Sequence, residues 1–586
     1  MRVFAAVLLS MSVAAMPLLA RNAGETGKEE TSTAVSSTSP LPDKPAAVKP
    51  EASAIESEMQ ELRSIVEEQR AELESQRAAL KAQQLKMEAL EEKLGPVPSE
   101  PTAAPAVATA AVSSTTPISS AFAAPGTTLA NPAQRGDDEV SPLQLKIGSA
   151  YITPVGFMDF TGVFRSHDGG SGIGTNFASI PYGNTFNTHL SEFRWSMQNS
   201  RIGFRVDALV KGAHVIGYME SDFLGNNPGN VAVSSNSNTL RSRLYWVDVQ
   251  KDKWEVLGGQ TWSLITPGRT GISPLPGNIF YSQDIDVNYQ AGLVWGRIPE
   301  LRFVLRPMDK VAIGLALDSP EQYGGGSAGG SQIVLPAALA SAIGPVSSST
   351  TSAQINFGGA TLNVPNVAPD FIAKIAVDPS NKFHFEFGGL VREFKVWNAS
   401  PAPAGTSFTK TGAGGFVNLN AEVFKGFRLL TNNFWADGGG RYIFGQVPDL
   451  IIRADNTISP IKAASTVSGF EFTHNNSFLY GYFGGIYVYP NVAIDLPVAP
   501  ATTGKPIGYG FPGSSTSQNR LIEEETIGFN QTLWKDAKYG ALNFMGQYSF
   551  LSRNPWVTAN PSDAHINMVF VNLRYTLPGS APTLGK

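Results

Sequence analysis

Arg201 and Arg205, Arg241 and Arg243, and Glu220 and Asp222 stand at even spacings within one stretch of alternating polar and apolar residues, Leu190 to Leu264. Residues two apart share a face of an extended chain, so each pair projects from one side of a strand. Guanidinium and carboxylate groups lining a wall select solutes by charge and size rather than breaking bonds. The loop that follows, Ile265 to Val287, adds Arg269, Asp284 and Asp286. If it folds inward, it faces the arginines across a lumen, and the resulting transverse field favours anionic or zwitterionic solutes. The same charges also read as pairs that neutralise a polar wall, and both readings can hold together.

Signals for bond-making chemistry are weak. There is no Cys, so disulfides and thiolate metal sites are excluded. The six His are scattered; His384 and Glu386 share a face, but two ligands without a third do not make a metal site. Gly324 to Gly330, GGGSAGG, lacks the Lys-Ser or Lys-Thr of a phosphate loop and reads as a flexible loop. No Ser, His and acid set stands out, so no catalysis, metal or cofactor is expected. Glu523, Glu524 and Glu525 fall near the outer end of their strand and read as a solvated charge run, with contact to divalent ions and lipopolysaccharide as the alternative.

The elements that must position these residues are strands. With 16% charged residues, 58 Gly, 33 Phe and a mean hydropathy of −0.07, the chain suits many strands with one apolar face, because alternation averages out in hydropathy. Between about Ser149 and Leu577 the period is two, and we read sixteen strands, among them 189–208, 212–224, 239–250, 253–264, 289–307, 411–425 and 467–474. Every second connection is short, as at 209–211, 251–252 and 475–476, while those between are mostly long, as at 166–188, 265–288 and 319–368. Splitting the segment around Arg297-Ile298-Pro299 would put the longest loop on the short side, so one bent strand is expected there. Short turns at one rim and long loops at the other is the asymmetry of an outer-membrane barrel. In 189–208 the polar face moves from Glu192, Arg194 and Ser196 to Arg201, Arg205 and Asp207, which requires a bulge near Asn199-Ser200. Gln260 shares the parity of Trp254, Val256 and Trp262, placing an amide on the outer face; a subunit contact or a locally irregular strand accounts for it. The last strand places Val569, Val571, Leu573, Tyr575 and Leu577 toward lipid.

Ahead of the barrel the period changes. Residues 1–20 have the layout of a secretory signal peptide, with cleavage after Ala20, and residues 21–50 form a disordered linker. In 51–95, Met59, Val66, Leu73, Leu80, Met87 and Leu94 recur every seven residues, with Ile55, Leu62, Gln69, Gln76, Gln83 and Leu90 at the second seam position. This is a coiled coil of roughly 40 residues, about 60 Å long, whose Gln seam suits three strands at least as well as two. Residues 96–141, rich in Ala, Pro, Thr and Ser, make a second linker, and 142–586 the barrel. Residues 1–141 carry 12 Lys plus Arg against 19 Asp plus Glu, and the remainder 32 against 30. The acidity therefore belongs to the leader, and nothing resembles a nucleic-acid-binding surface.

SRIGF at Ser200–Phe204, GYMESDFLG at Gly217–Gly225, LRSRLYWVDV at Leu240–Val249, GGQTWS at Gly258–Ser263 and GRIPELRF at Gly296–Phe303 occur in an order that resembles the DcaP-like trimeric outer-membrane porins. The resemblance implies a sixteen-stranded all-β transmembrane barrel, a homotrimer, an N-terminal periplasmic helical segment, and passive uptake of small solutes with a leaning toward anions such as dicarboxylates. The long Gly- and Ala-rich loop 319–368 departs from that pattern. The expectation is a porin of the bacterial outer membrane, surrounded by lipid and lipopolysaccharide. A trimeric tether or adhesin with the barrel as anchor is the rival, and its small barrels of about four strands per chain argue against it.

Overall fold

The computed structural model describes residues 143–578, apart from 170, 226–237, 280–282, 326–331, 340–366, 399–404, 445, 499, 515–517 and 557–563. The signal peptide, coiled coil and linkers expected in 1–141, and most of GGGSAGG, lie outside the described residues. Sixteen wall strands form one antiparallel sheet. They are β1 (Ala150–Arg165), β2 (Glu192–Ser196 continuing as Arg201–Val210), β3 (Ala213–Asp222), β4 (Arg241–Lys251), β5 (Trp254–Trp262), β6 (Arg297–Met308), β7 (Val311–Asp318) and β8 (Asp370–Ser380). β9 (Phe383–Asn398), β10 (Thr406–Phe424), β11 (Phe427–Asp437), β12 (Lys462–His474), β13 (Ser477–Val488), β14 (Asn519–Asp536), β15 (Gly540–Pro555) and β16 (Ala564–Thr576) complete it. β1 pairs with β16 from Phe157↔Thr576 to Arg165↔Met568, so the sheet closes and has no free edge.

The alternation turns this sheet inside out relative to a water-soluble protein. Phe160, Phe204, Val247, Phe303, Leu315, Phe371, Val417, Phe529, Val569, Val571 and Leu573 are exposed on the outer wall. Intervening residues such as Asp159, Glu220, Asp248, Arg302, Glu386 and Gln547 are buried on the inner side. An exterior of that kind is stable against hydrocarbon and costly against water, at about 25 cal/mol per Å² of apolar surface. No helix among the described residues is long and apolar enough to cross a membrane; the wall would cross with strands.

The break in β2 is the expected bulge. Phe157 pairs with Arg201 and Thr161 with Ser196, so three residues of β1 oppose four of β2. Phe193, Trp195 and Met197 before it, and Ile202 and Phe204 after it, therefore all reach the outer face.

Three expected spans need correction. The segment 289–307 is not one strand: β6 begins at Arg297, and 263–296 is a single long loop. Trp295 donates its backbone N–H to the Tyr442 carbonyl of another loop, 3.0 Å away, rather than to the ladder. β10 starts at Thr406 and β12 at Lys462, each five residues earlier than read, because their outer ends continue as paired sheet above the apolar band. Of the residues expected to share an outer face with Gln260, Trp262 does not. Gly259 adopts a φ of 137° and approaches the β4 backbone too closely for a side chain, and after Gln260 the alternation is lost, Thr261 and Trp262 both being buried. Trp262 turns inward with 1% exposure, while Gln260 donates to the Arg243 carbonyl at 2.8 Å. Gln260 itself keeps the outward parity, paired with exposed Tyr245 and Pro299 and half-exposed, so the irregularity lies in Thr261 and Trp262 after it.

Candidate functional site

β2, β3 and β4 lie side by side, and their register sets the charged residues abreast: Arg201 pairs with Asp222 across β2 and β3, and Asp222 with Arg241 across β3 and β4. Arg241 grips Asp222 with two bonds of 3.0 and 2.8 Å. Arg243 donates to Glu220 at 2.8 Å and to Asp222 at 2.7 Å, and Arg201 lies 3.6 Å from Glu220. Such bidentate and shared contacts fix the guanidinium planes. Arg205 does not join this group. It forms two 2.8 Å bonds with Asp207, which His214 also contacts at 3.0 Å.

Loop 263–296 folds inward and completes the cluster. Tyr289, held at a φ of 65°, brings its hydroxyl 3.3 Å from Arg243 and 3.4 Å from Arg201, both of which donate to it. A non-glycine residue in the left-handed region is strained and persists only where its surroundings fix it. Burial opposes ionisation of the phenol, but Arg201, Arg243 and Arg297 outweigh it and hold Tyr289 below its ordinary value of 10.0. Trp262, Tyr289 and Trp295 form an aromatic floor, with ring centroids 5.4 to 6.1 Å apart. The Arg297 guanidinium lies 5.9 Å from the Trp262 ring and 5.8 Å from the Trp295 ring. Its Nη1 has no hydrogen-bond partner among the described residues. Three guanidiniums (Arg201, Arg241 and Arg243) thus share two carboxylates, and Arg297 adds a fourth with no ion pair among the described residues, leaving a surplus of two positive charges around Tyr289.

The rest of the loop is pinned to distant parts of the wall. Gly268 N–H donates to both oxygens of Glu386 at 3.1 and 3.2 Å, and Lys374 bridges Glu386 and the Thr266 carbonyl. Gly271 N–H reaches Asp378 at 2.8 Å, and Arg269 forms two 3.0 Å bonds with Glu471 of β12. Arg269 therefore serves as an anchor and does not stand opposite the cluster alone. Asp286 accepts from the backbone of Thr175 in the first long loop and of Asn288, while burial pushes its carboxyl up. Ile285 N–H donates to Gln547 of β15. Asp284 and Asp286 thus stand by β14 and β15, where Glu524 is also buried.

Across such a span, from β5 to β9, β12, β14 and β15, the loop crosses the interior of a sixteen-stranded barrel. A search of solved structures returns the DcaP outer membrane channel of Acinetobacter baumannii, with a TM-score of 0.51 and 15% identity over 74% of this chain and 99% of that one. The chain has the DcaP-type barrel fold. An anion-selective porin from Comamonas acidovorans aligns at a TM-score of 0.39 and 12% identity, over 73% of this chain and 100% of that one. Salmonella typhi OmpF aligns at 0.39 and 9%, over 74% and 100%. No family model and no curated protein matches the chain.

Within this DcaP-type barrel the structure unites Arg201, Arg241, Arg243, Glu220 and Asp222, sets Arg205 apart, and places Asp284 and Asp286 toward another wall. Sequence reasoning missed Tyr289 and Arg297, which it assigned to an ordinary strand, and Trp262, which it turned outward. The positive-φ tyrosine carries no sequence signal. The Glu523–Glu525 run is not solvated as a unit: Glu524 points inward and is fully buried, because strand alternation sends its neighbours the other way. His384 and Glu386 do share the inner face, 3.2 Å apart, with Asp378 on the other ring nitrogen at 2.7 Å. Among the described residues no group of three His, Asp or Glu fits a metal ion.

Proposed function

We propose that this protein is an outer-membrane porin, through which small hydrophilic solutes diffuse passively, and that it favours anionic solutes such as dicarboxylates. The observation that carries the reading is the surplus of positive charge around Tyr289, at the point where an inward loop crosses a closed barrel with an apolar exterior. The name of the DcaP channel, whose fold it shares, supports the channel function. Asp284 and Asp286 lie on the side of β14 and β15, away from the arginines, so a solute crossing the loop meets a transverse field. Anions are attracted to one side, and zwitterions orient between the two. Loop 263–296 sets the constriction; Val334, in a described part of the connection after β7, bridges instead to Gly508.

Three copies assemble through the periplasmic coiled coil read in 51–95, and lipid with lipopolysaccharide covers the outer wall. No residue acts as a catalyst and no cofactor takes part. Purified protein reconstituted in planar bilayers under a tenfold KCl gradient tests the proposal. A reversal potential of the sign set by chloride is expected. Folded barrels that pass no current, or a potential of the sign set by potassium, would overturn it.

A further inference from the structure

We propose that Glu524 and Gly484 are positioning residues which seat the return half of loop 263–296 and so set the width of the channel; the inference rests on the porin reading. The first half of the loop has its own anchors in Glu386, Lys374, Asp378 and Glu471. The return half, which carries Tyr289, is held immediately after that residue by a different device. Ala291 N–H donates to the Glu524 carboxylate at 2.8 Å, and the Gln290 side-chain amide donates to the Glu524 backbone carbonyl at 3.0 Å. Glu524 thus grips two consecutive loop residues, one through its side chain and one through its main chain.

Shape completes the seat. On the inner face of β13, Gly484 lies so close to the Ala291 carbonyl oxygen that a methyl group at 484 would collide with it. The next loop residue, Gly292, has a φ of 86°, and a side chain there would meet the Thr466 carbonyl and the Gly485 backbone within 2.9 Å. Loop and wall therefore touch backbone to backbone, through a glycine on each side. Close approach of this kind leaves no slack, so the seat transmits its position to Tyr289 one or two residues away. Tyr289 bonds to Arg201 and Arg243, and the seat thereby fixes where the cationic cluster is covered and where it is open.

Three variants separate position from charge. Gly484→Ala adds one methyl, keeps every charge and suits strand backbone. Glu524→Ala removes both acceptor and charge, whereas Glu524→Gln removes the charge but leaves an amide oxygen to accept from Ala291. Gly183→Ala, where a methyl meets nothing within 4 Å, is the control. Folding is read from the mobility shift of unheated barrels in detergent gels, and transport from single-channel conductance and reversal potential.

Gly484→Ala and Glu524→Ala are expected to move the conductance by at least twofold, with Glu524→Gln and Gly183→Ala staying near the wild type. Wild-type conductance in the first two, or a Glu524→Gln channel that behaves like Glu524→Ala, would overturn the proposal. If Gly484→Ala does not fold, Glu524→Ala against Glu524→Gln decides. Wild-type barrels that fold but stay silent would instead sink the porin reading itself.

Discussion

Arg297 offers the cleanest test of the charge surplus. Its guanidinium is stacked near Trp262 and Trp295 and forms no ion pair among the described residues, so Arg297→Gln leaves no carboxylate stranded. The substitution halves the surplus around Tyr289 from two positive charges to one. A unit charge about 6 Å from a passing ion contributes about 0.7 kcal/mol at a dielectric constant of ~80, and about 2.8 kcal/mol at ~20. The lower figure suits a hydrated path; because the charge acts with opposite sign on anion and cation, its loss shifts their relative energies by about 1.4 kcal/mol, about a tenfold fall in the anion-to-cation permeability ratio. Screening adds a second signature. The Debye length is about 10 Å at 0.1 M salt and about 3 Å at 1 M, so the difference between variant and wild type should be clear at 0.1 M and nearly vanish at 1 M. Reversal potentials in KCl gradients at both ionic strengths measure this. Folded Arg297→Gln channels with an unchanged potential at 0.1 M would refute the reasoning, since they would show that the surplus does not act on the ion path.

Arg243→Gln should behave differently. It strips a partner from Glu220 and Asp222, both at most 1% exposed, and breaking buried pairs costs about 3–5 kcal/mol, so the temperature at which the folded gel band disappears should fall. Tyr289 predicts a pH effect. Its phenol is held below 10.0, so as pH rises toward that value it ionises early and its negative charge offsets the arginines. Anion preference should therefore decline between neutral pH and pH 10 in the wild type and stay flatter in Tyr289→Phe. The same shift means the ionised phenol adds stability above its unfolded value, which is lost as pH falls through the folded one. Deleting 51–95 should lower the oligomer mass seen by native mass spectrometry, while conductance per barrel is kept; loss of conductance would count against a purely assembling role.

Much of the wall was legible in the sequence because strand period and turn length are local. Alternation placed Val569, Val571 and Leu573 outside, whereas the bent strand that the parity of connections favoured through Arg297-Ile298-Pro299 begins only at Arg297. The slip from Ser196 to Arg201 announced the bulge that β1 and β2 contain. The shared inner face of Arg201, Glu220, Asp222, Arg241 and Arg243 followed from the same counting. What the chain does in the interior obeys no period. Residues 289–296 alternate well enough to pass for strand, yet Tyr289 takes a left-handed φ and Trp295 bonds to another loop, because distant walls supply the partners. Trp262 reverses face at one glycine, and Glu524 changes from a surface charge to a buried anchor only when Ala291 arrives beside it. Local spacing determined the barrel and its charged inner face; tertiary contacts between residues hundreds of positions apart decided where the loop crosses and which arginines remain uncompensated.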